Sequence, residues 1–255
     1  MAPGPWEQVE GPAGMLAVHV AGGPPLASDV VVGTVRTLVV CPGLPTEPGA
    51  ATRTGRTFPA LADGLAQTSG WRTVAACLRG VGPSGGDFSL AGWMEDLEVI
   101  VSRAVSGGMV WLAGFGVAGS LAVCLASDDE RVRGVATVGS PASFASWAER
   151  PGDALATARR LGVVRDPSFP PDLASWVGPA SSLDPLRAAE RVPPRTMLVV
   201  HGVEDDIVPV ADARALADAG RPDAQLRLLA GAGHRLRPDP RVVALLLGWL
   251  ERQGP

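Results

Sequence analysis

Short apolar runs alternate with longer stretches in which apolar and polar residues mix at helical spacing. The strand-like runs are Met15–Val20, Thr37–Cys41, Thr73–Cys77, Met109–Ala113, Gly134–Val138, Thr196–Val200 and Gln225–Leu229. Each is β-branched or apolar and is bounded by Gly, Pro or charge. The helix-like segments are Phe58–Thr68, Ala91–Ser106, Val117–Ala126, Val210–Ala219 and Arg241–Arg252. This alternation predicts an α/β fold, a mostly parallel doubly wound sheet buried on both faces. The first two or three strands have no helix between them and are expected to be antiparallel. Pro141–Pro194 breaks the rhythm: it holds Trp147, Trp176 and many prolines, with one helix-like piece at Ala154–Leu161. It reads as a short cap inserted over the carboxyl edge of the sheet, where α/β proteins bind ligands. A single domain over 1–255 with this insertion at about 141–194 is the expected organisation.

Hydropathy raises one alternative. Between Arg103 and Asp128 there is no charged residue for 24 positions, long enough for a membrane span. Gly107, Gly108, Gly114, Gly116 and Gly119 interrupt it. It divides into a strand-like and a helix-like half, as a buried strand–turn–helix would. Met1–Gly14 is rich in Pro and Gly without an apolar run and does not read as a targeting segment.

Composition narrows the chemistry. All 22 basic residues are Arg, and Lys, Tyr and Asn are absent. A Schiff-base lysine, a phosphate-loop lysine and a catalytic tyrosine are therefore excluded. A net charge of −4 offers no footprint for nucleic acid. His19, His201 and His234, with Cys41, Cys77 and Cys124, show no ligand spacing, so no metal and no cofactor is expected. Three scattered cysteines suit a reducing cytoplasm.

Ala113-Gly114-Phe115-Gly116-Val117-Ala118-Gly119 follows a strand and opens a helix, and two chemistries fit it. Gly114-x-Gly116-x-x-Gly119 matches the dinucleotide fingerprint. That reading needs a carboxylate at the end of the next strand, which instead ends Thr137-Val138-Gly139-Ser140. A second match, Gly80-x-Gly82-x-x-Gly85, contains Pro83 and has no helix directly behind it. The other chemistry is a nucleophile elbow, G-x-S-x-G, with Gly116 where Ser should stand and Ala118 for the last Gly. An elbow requires an acid and then a histidine on later strand-end loops. Val200-His201-Gly202-Val203-Glu204-Asp205-Asp206-Ile207-Val208-Pro209 and Gly231-Ala232-Gly233-His234 supply them, with Asp205 orienting the His234 imidazole.

With these segments and Arg79-Gly80-Val81-Gly82-Pro83-Ser84-Gly85-Gly86-Asp87, nearly the whole chain resembles the α/β-hydrolase superfamily. More narrowly it resembles small esterase- or peptidase-like hydrolases of actinobacteria. The resemblance implies that Leu44, after Cys41-Pro42-Gly43, and Val117 supply the N–H groups of an oxyanion hole. It implies a nucleophile at position 116, where glycine has no side chain to attack with. Ser120, Ser84 and Cys124 are the neighbours that could replace it. Ser120 lies one turn along the helix, Ser84 sits in a loop where the family's Ser is structural, and Cys124 reads as helix core. Arg53 and Arg56 could add positive charge for an anion.

Three functions follow. One is a non-catalytic protein holding a small-molecule ligand, an anion among the candidates, or a protein partner. The second is a hydrolase of small esters or amides in which His234 and Asp205 activate water. The third is a nucleotide-binding protein. Neither nucleic acid nor membrane is expected as a partner.

Overall fold

Burial on both faces is what the apolar runs achieve. The computed structural model describes residues 6–26, 35–105 and 108–254, without the side chains of 51–53 and 55–56. In order it contains β1 (Glu7–Gly11), β2 (Gly14–Ala21), β3 (Val35–Cys41), α1 (Ala50–Ser69), β4 (Arg72–Ala76), α2 (Leu90–Val105), β5 (Gly108–Phe115), α3 (Val117–Asp128) and β6 (Val132–Val138). Then come α4 (Ala145–Glu149), α5 (Pro151–Arg160), α6 (Leu173–Val177), α7 (Pro179–Ser182), α8 (Pro185–Ala189), β7 (Thr196–Gly202), α9 (Val210–Ala219), β8 (Ala224–Leu229) and α10 (Pro240–Glu251). The strands form one sheet, ordered β1-β2-β4-β3-β5-β6-β7-β8. From β4 to β8 every pairing is parallel. Successive residues feed opposite faces: Leu38 and Val40 join the core under α1 and α10, while Val39 and Cys41 join the core under α2, α3 and α9. That period of two is the pleat.

Antiparallel pairing is confined to the edge of the sheet that holds β1 and β2. β1 and β2 pair antiparallel, and β2 pairs antiparallel with β4. β3 is parallel to both β4 and β5. It lies deeper in the sheet, where both of its faces are covered by helices, and β2 never touches it. α1 begins before Phe58, at Ala50, and carries Pro59 inside it. Proline favours a first turn, but the buried stripe Leu61, Ala62, Leu65 and Ala66 anchors the longer helix to the sheet. The uncharged run is divided between β5 and α3, whose residues Val117–Ala126 are all buried. Among the described residues no helix is long and apolar enough to cross a membrane.

The insertion holds five short helices where one was expected. Three of them, α5, α7 and α8, start with Pro at the first turn, and Asp172 and Asp184 cap α6 and α8 through side-chain oxygens. Only its first part sits over the carboxyl edge. α8 leaves the edge and packs between α3 and α9, burying Ala188, Ala189 and Val192.

This topology places a site. The chain winds one way from β3 to β4 and the other way from β5 onward. Ligands bind α/β sheets outside the carboxyl ends at such a switch, here between the loop after β3 and the turn after β5.

Candidate active site

Five strand ends converge there. Cys41 pairs with Gly114, Phe115 with Val138, Val138 with Val200, and Gly202 with Leu229, so the loops after β3, β5, β6, β7 and β8 rise from one edge. Gly116 is the turn between β5 and α3, at φ 52° and ψ −131°. A side chain is strained in that region, whereas glycine is not. Gly116 N–H donates to Val138 O at 2.9 Å, tying the turn to β6. The other glycines of the motif serve packing. A Cβ on Gly114 would collide with the backbone of Gly119, and one on Gly119 with Ser140 Oγ. Gly43 approaches so closely that a Cβ there would collide with Phe115 O, which brings Leu44 beside the turn. At Gly116 itself the space is open, the nearest atom to an added Cβ being Gly43 Cα at 3.8 Å.

Asp205 and His234 meet above this turn. His234 Nδ1 donates to Asp205 Oδ2 at 2.8 Å, so in the neutral ring it is Nε2 that carries the lone pair. The Asp205 side chain is fully buried and that of His234 is 14% exposed. Asp205 Oδ1 accepts from Ile207 N at 2.9 Å and Val208 N at 2.8 Å. Gly139, at φ 63°, leaves room on the other flank, where an added Cβ would lie 3.7 Å from both Asp205 Oδ2 and His234 Nδ1. An imidazole held this way can take a proton at Nε2 and pass it on.

Two cavities meet at Leu44, Pro45, Thr46, Gly116 and His234. One, of about 470 Å³, runs under the cap between Val117, Phe144, Trp147, Leu161 and Val208, with Arg160 and Asp212 also on its wall. The other, of about 500 Å³, lies between α1 and the loop after β8, lined by Thr54, Phe58, Arg235 and Arg237. Arg237 donates to Thr57 O, and burial holds its guanidinium below the ordinary value. Arg235 pairs with Glu47 at 2.8 Å. The side chains of Arg53 and Arg56 lie outside the described residues.

The other nucleophiles are placed elsewhere. Ser120 is buried and donates to Pro141 O at 2.5 Å. Ser84 is buried, accepts from Ala17 N at 2.8 Å and donates to Cys77 O at 2.6 Å, which fastens its loop to β2 and to the residue after β4. Burial pushes the Cys124 thiol up to about 12. Among the described residues no three His, Cys, Asp or Glu side chains cluster to hold a metal ion. The end of β6 carries no carboxylate; of those close by, Asp205 is turned to His234 and Asp212 accepts from Ala142 N.

One residue at this site was missed from the sequence. His201, near the end of β7, is fully buried, and its Nε2 lies 3.2 Å from Asp205 Oδ2 and 3.0 Å from Val208 O. The signal available was a histidine closing an apolar run four residues before an aspartate.

No family model matches the chain, and no curated protein matches it in sequence. Solved structures do match. The meta-cleavage product hydrolase from Pseudomonas fluorescens, a mutant complexed with acetates, superposes with a TM-score of 0.67 at 17% identity, over 97% of this chain and 98% of its own. Alpha/beta hydrolase domain-containing protein 10 from mouse gives 0.69 at 17%, over 97% of each chain. The esterase domain of a Rhodothermus marinus protein gives 0.67 at 18%, over 97% and 98%. These structures share the mostly parallel eight-stranded sheet with its flanking helices, and this chain has the α/β-hydrolase fold.

Proposed function

We propose that this protein is hydrolase-like in its site but binds its ligand without covalent attack. The ligand class is a small ester, amide or carboxylate, held with its carbonyl or carboxyl oxygens at the N-terminus of α3. The observation that carries this is Gly116: the turn has the backbone and open space of an elbow, beside a paired histidine, and no side chain. The first N–H groups of a helix lack intrahelical acceptors and favour negative charge. Val117 N–H, with Leu44 N–H across from it, would therefore receive the oxygen. An apolar arm fits the cavity walled by Phe144, Trp147 and Leu161.

The test is a fluorophosphonate probe together with reversible binding of a short phosphonate monoester followed by calorimetry. The wild-type protein stays unlabelled while the phosphonate binds, and Trp substituted for Val117 blocks binding. Stoichiometric labelling mapped to Ser120 or Ser84 overturns the reading.

The 2.8 Å bond between His234 and Asp205 favours a second reading, slow hydrolysis by water. Water in the space beside Gly116 attacks the carbonyl carbon while His234 Nε2 takes its proton. Leu44 and Val117 N–H groups hold the oxyanion. The intermediate then collapses, and the leaving alcohol or amine receives the proton from His234. Turnover lost in His234→Ala marks this reading, and turnover unchanged in that variant excludes it.

A further inference from the structure

We propose that His201 is a positioning residue that locks the Asp205 carboxylate onto His234. Val208 O can only accept, so the 3.0 Å contact from His201 Nε2 requires a hydrogen on that nitrogen. The same nitrogen stands 3.2 Å from Asp205 Oδ2 while its N–H is given to Val208 O. Nδ1 is then the bare nitrogen, and it is buried with no hydrogen-bond partner. A proton there would be a donor without an acceptor, on a cation with no exposure, and both are costly. His201 is therefore a neutral donor, fixed in one tautomer.

The consequence reaches Asp205 through Val208. Oδ1 accepts from Ile207 N and Val208 N, Oδ2 accepts from His234 Nδ1, and the His201 ring stands 3.2 Å from Oδ2. Val208 is gripped twice, its N–H by Asp205 and its carbonyl by His201. The turn from β7 toward α9 is thereby closed around the carboxylate. Remove His201 and Val208 O loses its donor and Oδ2 its neighbouring ring, so the turn that holds the carboxylate through Val208 N loosens and the carboxylate can rotate away from His234. Other charged groups lie around the loop: Glu204 and Asp206 are exposed on it, Asp212 opens α9, and Arg235 follows His234 and is paired with Glu47. None makes a described hydrogen bond to the Asp205 carboxylate.

The inference rests on His234 as the group presented to the cavity, but its test needs neither ligand nor turnover. With three histidines, ¹⁵N–¹H spectra of the imidazoles resolve each ring. In the wild type His201 is expected as the Nε2–H tautomer and His234 as the Nδ1–H tautomer, with a slowly exchanging downfield proton. In His201→Phe, exchange of that His234 proton accelerates about tenfold or more, the loss of one hydrogen bond's worth of order. In His201→Gln, whose amide N–H can donate to the same Val208 carbonyl, slow exchange returns. His19, bonded to Asp63 far from the site, reports whether the fold is intact. An unchanged His234 proton in a folded His201→Phe overturns the proposal. If that variant does not fold, the wild-type tautomer of His201 decides: Nε2–H supports it and Nδ1–H overturns it. Failure to bind any phosphonate would sink the proposed function and leave these signals as they are.

Discussion

Two histidine–aspartate pairs in this molecule have the same N–O separation, 2.8 Å, and opposite surroundings. His19 Nε2 meets Asp63 between β2 and α1. The Asp63 side chain is 32% exposed, His19 is its one described side-chain partner, and the Trp6 ring stands edge-on at 6.4 Å. His234 meets Asp205 at the mouth of two cavities, and the Asp205 side chain is fully buried under three donors with the His201 ring 3.2 Å away. The bond is the same; the difference lies in what fixes the carboxylate and what the free nitrogen faces. At His19 the described side-chain neighbours are Asp63 and the Trp6 ring. At His234 a glycine turn, a helix N-terminus and open volume converge on one nitrogen. A dyad is thus recognised by its setting and not by its own geometry.

The largest effect expected from that contrast is on chemistry. Gly116→Ser adds an Oγ at the turn, within the same cavity mouth as His234. Because nucleophile, base and acid act as a unit, hydrolysis of short activated esters should rise on the order of 10²–10³-fold over wild type. His234→Ala in that background should erase the gain, and His19→Ala should leave it within about twofold, as judged by kcat/KM. The added side chain must adopt a left-handed backbone, so stability should fall by roughly 1 kcal/mol or more. Equal loss from the two histidine variants would break the comparison.

Stability should separate the two acids next. Asp205→Asn turns an amide N–H₂ toward buried donors and should cost about 2–4 kcal/mol in urea unfolding. Asp63→Asn, half in water, should cost under about 1 kcal/mol. The smallest effect concerns the cysteines. Burial pushes the Cys77 and Cys124 thiols up to about 12 and raises Cys41 further. Raised values mean less thiolate at pH 8 than a free cysteine shows. Iodoacetamide should therefore modify none of the three in the folded protein at pH 8, and all three in urea, as counted by mass spectrometry. Rapid folded-state labelling of Cys124 would place a rival nucleophile in the molecule.

The central sheet was legible because buried parallel strands are continuous apolar runs, and all seven expected strands are present. β1 was not, because in Glu7-Gln8-Val9-Glu10-Gly11 only Val9 is buried, and one apolar residue makes no pattern. The cap helices escaped for another reason. Apart from α5, which the expected Ala154–Leu161 overlaps, they run only four or five residues, too short for helical periodicity to declare itself. Asp205 and His234 could be singled out because strand-end loops point one way in a parallel sheet. His201 could not, because its role depends on a turn that folds Val208 O back over the strand end. Gly43 was a spacer in the sequence and is a steric requirement in the fold.

The open space at Gly116 also sets a genetic distance. Two glycine codons, GGU and GGC, become the serine codons AGU and AGC by a change of one base. The turn already has the backbone a serine would need, and 3.8 Å of clearance to Gly43. No neighbour must move first, so no compensating substitution stands in the way. A lineage that encodes Gly116 by GGU or GGC is a single point mutation from testing the covalent route, and the stability margin of the rest of the sheet decides whether that mutant persists.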